Sequence, residues 1–152
     1  MATRVDRMQK LVEIAEIELD KAAQTFATLQ AQYTHENEQL ISLKQYAEEY
    51  AQSPVSASVS ESVIQVQTRH AFGEKLQQAV QTQVIKVEQL AETVDKGREM
   101  WLEKRVRVKA LEALLVNIKR DITRILDKRE QGLLDELAAR GVLKKSKDQS
   151  LF

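Results

Sequence analysis

The chain contains no cysteine, which excludes disulfides, thiolate catalysis and cysteine-based metal sites. One proline and four glycines are spread over 152 residues. A sheet needs turn residues every few positions, and a doubly wound fold needs glycine loops, so neither can be built from this composition. Aromatics make up only 5% of the residues. The formal net charge is zero, 23 basic against 23 acidic side chains, which excludes a simple electrostatic nucleic-acid binder. Long apolar runs are also missing. The longest covers residues 113–116, so no transmembrane segment is expected. The N-terminal stretch has no apolar core of the signal-peptide type, and the expectation is a cytoplasmic protein.

What remains is 43% hydrophobic and 30% charged, a composition suited to long amphipathic helices. From residue 4 to about residue 52, apolar positions recur at alternating steps of three and four. One set is Val5, Val12, Leu19, Phe26, Tyr33, Leu40 and Ala47. Its companion is Met8, Ala15, Ala22, Leu29, Glu36, Leu43 and Tyr50, in which only Glu36 breaks the pattern. A repeat of 3.5 residues held this long is a coiled-coil signature.

Residues 53–60 are rich in serine and hold the only proline, Pro54. Proline cannot continue a helix and pushes its predecessor out of the helical region, so the chain turns here. Ser58 or Ser60 is the expected cap of the second helix, with Glu61 in its first turn. That helix is expected from about residue 60 to about residue 140. Its seam holds Val80, Val87, Val94, Trp101, Val108, Leu115 and Ile122, accompanied by Leu76, Gln83, Leu90, Gly97, Lys104, Leu111, Ile118 and Ile125. Gln83, Gly97 and Lys104 are its weak points. After Ile125 the register fails and another set, Leu133, Leu134, Leu137 and Ala138, takes over. Gly141 is the expected helix stop, with a disordered tail over 141–152. The fold class is therefore all-α, a long antiparallel two-helix coiled-coil hairpin forming a single domain.

Charge is uneven along the chain. Residues 1–95 carry 8 basic and 14 acidic side chains, and residues 96–152 carry 15 and 9. An acidic arm can thus lie along a basic one. The second arm is also the longer. Folding at the turn pairs the chain start with residues near 105–118, leaving the stretch beyond without an intrachain partner. A helix exposing Leu115, Ile118, Ile122 and Ile125 would be marginal alone, which implies docking on another chain.

No catalytic constellation is visible. There is no phosphate-binding glycine loop and no metalloprotease or calcium-loop motif, and no cofactor is expected. His35 lies between acidic neighbours, and His70 has Glu74 one helical turn on, but two ligands do not make a metal site. The basic run at 104–109 has three readings: a basic-zipper segment, a collar for an acidic protein surface, or a solvated face. Val108 inside it continues the apolar seam. Tyr46 and Phe72 lie off the seam on either side of the turn. With Leu76 they form a binding patch or simply close the hairpin top.

Three local segments resemble the FliJ family of the bacterial flagellar type III export apparatus. One is Leu11-Val12-Glu13-Ile14-Ala15-Glu16 with Leu19-Asp20-Lys21-Ala22-Ala23. The next is Gln39-Leu40, Leu43, Tyr46 and Tyr50 before the break, with Phe72, Leu76, Ala79 and Gln83 after it. The third and most specific runs from Asp127-Lys128-Arg129-Glu130-Gln131 into Leu133-Leu134-Asp135-Glu136-Leu137-Ala138 and Arg140. The resemblance implies a non-enzymatic, membrane-associated export component at the inner face of the cell membrane. Its implied partners are the export ATPase hexamer, the cytoplasmic domain of the export gate, and export chaperones. It implies gate contact through Gln39, Leu43, Tyr46, Tyr50, Phe72, Leu76, Ala79 and Gln83. The ATPase ring would meet Leu115, Ile118, Ile122, Ile125, Leu133, Leu134 and Leu137. The alternative is a self-associating structural coiled coil.

Overall fold

In the computed structural model, residues 3–52 and 62–149 are described, with side chains through residue 147. They form two α-helices and no strand: α1, Arg4–Gln52, and α2, Val63–Gln149. The fold is an all-α helical hairpin. The expected turn, and with it Ser58, Ser60 and Glu61, lies outside the described residues.

Both helices start at reciprocal side-chain caps. The Thr3 amide donates to Asp6 Oδ2, and the Asp6 amide donates to Thr3 Oγ, each at 3.1 Å. The Thr3 hydrogen bonds hold the Asp6 carboxyl below its ordinary range. At α2 the Ser62 amide donates to Gln65 Oε1 (3.1 Å) and the Gln65 amide to Ser62 Oγ (3.2 Å). This is a capping box, which satisfies two orphan amides at once. The cap of α2 is thus Ser62, with Gln65 three residues on to reciprocate.

The far end of α2 also differs from expectation. The helix passes through Gly141, which keeps a helical backbone with no positive φ, and continues to Gln149. An exposed glycine costs about 1 kcal/mol relative to alanine, less than is needed to stop a helix already propagating through leucine, alanine and lysine.

The chain divides into two compact units. One is Ile17–Arg105, in which the two helices pair antiparallel. Contacts there advance along α1 while they retreat along α2: Glu18 with Lys104, Phe26 with Trp101, Glu36 with Gln83, Tyr50 with Phe72. The other unit is Met1–Glu16 with Val106–Phe152. There Val12, Ala15, Val108 and Ile118 are buried.

All fourteen seam positions of α1 are buried or half-buried, as are the α2 seam positions up to Ile118. No side chain among the described residues is completely enclosed. A helix pair has one interface, so each seam residue is covered from one side only. Small residues help the helices approach, since Ala15, Ala22 and Ala47 are all buried. Gly97 serves the same end. A β-carbon there would stand 2.9 Å from Leu29 Cδ1 and 3.7 Å from Phe26 Cδ2. The missing side chain leaves room for these two large residues, and Phe26 stacks on Trp101 with centroids 6.0 Å apart.

Candidate functional site

The turn-proximal part of the Ile17–Arg105 unit gathers the residues that the sequence singles out there. Tyr50 and Phe72 meet edge to face at 5.0 Å between centroids. Tyr50 Oη donates to the Arg69 carbonyl at 3.2 Å, which ties the end of α1 to the first turns of α2. Ile64, Gln65, Thr68 and Arg69 join the two rings in lining a shallow apolar groove. A second groove is lined by residues including Gln39, Leu43, Tyr46 and Gln83. Tyr46 is 50% exposed and Phe72 42%, whereas Leu76 is buried in the seam. Ala79 is exposed on α2. Val63, Ile64 and Val66 are exposed as well. Sequence reasoning passed over these three because they fall next to the break. Their clustering, three β-branched side chains within four positions, was the available signal.

Gln83 is turned inward. Its Nε2 donates to the Glu36 carboxylate at 2.7 Å and to the Glu36 carbonyl at 2.9 Å. Lys86 Nζ reaches the other Glu36 oxygen at 3.1 Å. The Gln83 hydrogen bond first, then Lys86, holds the Glu36 carboxyl below its usual range. Two seam exceptions that read as separate weak points are thus one hydrogen-bonded pair. Lys104, another exception, pairs with Glu18 at 3.2 Å. Sequence reasoning missed both pairings, because the heptad count says which face a residue takes and not which partner it meets.

Gln39 Nε2 hydrogen-bonds His35 Nε2 at 3.2 Å. His70 Nε2 lies 3.3 Å from Glu74 Oε1, so the two share a helix face in an exposed i,i+4 pair. Among the described residues no three potential ligands converge on a metal position.

In the unit that holds the chain start, the expected free stripe needs a correction. Ile118 is only 5% exposed and Leu115 is half-buried, so both belong to the intrachain seam. The first turns of α1 reach them because pairing extends to the upper end of the expected 105–118 window. The uncovered stripe begins beyond, with Ile122 at 41% and Ile125 at 51%. Every residue from 121 to 147 is exposed, including Leu126, Leu133, Leu134, Leu137, Val142 and Leu143. Ile122 and Ile125 continue the face that carries Leu111, Leu115 and Ile118, so a packed seam runs on into a bare one. Glu136 and Arg140 add an i,i+4 pair at 3.3 Å.

No helix among the described residues is long and apolar enough to cross a membrane. No curated protein and no solved structure matches the chain. The family model described as "Flagellar FliJ protein" matches residues 4–147, which takes in the turn-end cluster, the polar pairs and the bare stripe. The chain belongs to the FliJ family and is a component of the flagellar export apparatus.

Proposed function

We propose that the protein is a non-enzymatic stalk and adaptor, joining the export ATPase ring to the membrane export gate and serving export chaperones. It would work at the inner face of the membrane at the flagellar base. The observation that carries this reading is the helical stretch over 121–147, where apolar side chains stand exposed along a continuation of the packed face. Burying such a side chain in a partner contributes about 1.5–3 kcal/mol. Ile122, Ile125, Leu133, Leu134 and Leu137 are the ring-binding candidates. Leu115 and Ile118 support them from within the seam.

The gate-binding candidates sort by exposure. The exposed candidates, Tyr46, Phe72, Gln39 and Ala79, would make the contact. Leu43, Tyr50, Leu76 and Gln83 hold them from behind. Two measurements test the reading. Adding the protein to the purified export ATPase should accelerate ATP hydrolysis, and an unchanged rate would overturn ring binding. Tyr46→Ala should weaken capture of the gate's cytoplasmic domain by roughly tenfold, the loss of about 1.4 kcal/mol, with helicity unchanged. Equal capture would remove Tyr46 from the interface. A stable dimer in light scattering that ignores the ATPase would favour a self-associating scaffold.

A further inference from the structure

A seam built on a 3.5-residue repeat tolerates sliding. Moving one helix past the other by seven residues returns apolar positions to apolar positions. In one direction Phe26 would exchange Trp101 for Val94, and both contacts are apolar. The polar positions do not share this tolerance. Glu36 lies opposite Gln83, and one heptad either way brings it to Leu76 or Leu90. Gln83 would in turn meet Leu29 or Leu43. All four are leucines without a donor or acceptor. Only the observed alignment gives the Glu36 carboxylate its bond from Gln83 (2.7 Å) and its contact with Lys86 (3.1 Å). Lys104 with Glu18, at 3.2 Å, marks the same alignment elsewhere in the unit.

We propose that Glu36 and Gln83 form a register lock, a polar pair that selects one axial alignment of α1 and α2 from otherwise near-equivalent heptad registers. They are positioning residues. A polar group at a core position of a coiled coil commonly specifies register at some expense in stability. What the lock maintains is the set of cross-helix pairs around it. A slip of one heptad would part Tyr50 from Phe72 and Phe26 from Trp101.

The absence of cysteine makes the test direct, since spin labels attach only where cysteines are introduced. Gln24 and Gln77 are exposed, one on each helix, and offset along the axis. A heptad slip changes their separation by about 10 Å. Pulsed electron paramagnetic resonance on the full chain labelled at these two sites should give a single distance population. Combining Glu36→Leu with Gln83→Leu should keep or raise helicity and thermal stability, yet split the distances into populations about 10 Å apart. The exchanged pair, Glu36→Gln with Gln83→Glu, should restore a single population. One unchanged population in the leucine variant, with helicity intact, would overturn the lock. So would several populations in the exchanged variant.

Discussion

Replacing Ile122 and Ile125 together with serine is expected to abolish most ATPase-ring binding while leaving the fold untouched. Both side chains are exposed, so little intrachain packing is lost. Serine and isoleucine have similar helix propensities, and α2 should persist through the substitution. The change in unfolding free energy should stay within about 0.5 kcal/mol, as for ordinary surface positions. Ring affinity should fall roughly a hundredfold, because two side chains that each contribute about 1.5 kcal/mol in a partner's groove are removed. Titration of the labelled protein with the purified ATPase, alongside urea unfolding, checks both halves. Full affinity would mean that this stripe is not what the ring grips. The same substitution at Ile118 would mislead, since its burial makes any loss of binding indistinguishable from a loosened seam.

The largest loss of stability is expected for Trp101→Ala. Trp101 stacks on Phe26 across the helix pair, 6.0 Å between centroids and 18° between planes, and the Arg105 guanidinium lies 5.6 Å from its ring centre. Truncating a packed tryptophan typically costs about 3–5 kcal/mol, and partial exposure places this one near the lower limit. Since the seam is a single layer, nothing behind the ring can move in to fill the gap. Urea unfolding followed by far-ultraviolet circular dichroism should show the midpoint falling sharply. A double-mutant cycle with Phe26→Ala should return a coupling of about 0.5–1.5 kcal/mol for the ring pair. A coupling near zero would mean that the two rings merely share a face.

Much of this architecture is legible from residue spacing. Val5 through Tyr50 declare a seam by periodicity alone, and the serine-rich stretch with Pro54 marks where the first helix must end. Less legible is the treatment of exceptions. Glu36, Gln83, Gly97 and Lys104 each look like a defect when the helices are read one at a time. Paired, Glu36 and Gln83 satisfy each other, Lys104 finds Glu18, and Gly97 makes room for Leu29 and Phe26. Of the two residues placed off the seam near the turn, Tyr46 is free of the seam and Phe72 rests its ring on Tyr50. That difference depends on where two distant turns of helix come level.

The sequence by itself determined that the chain is helical, where the first helix ends, which face of each helix is apolar, and that the longer arm outruns its cover. These follow from periodicity and from proline and serine chemistry, which act over a few residues. Tertiary structure decided the axial alignment, and with it that Ile118 is covered while Ile122 is bare. It also decided that Gln83 faces inward. The physical reason is that a heptad repeat specifies direction around a helix and is nearly indifferent to position along it. Position is set where unlike residues must meet across the seam, as Gln83 meets Glu36 and Gly97 makes room for Leu29 and Phe26.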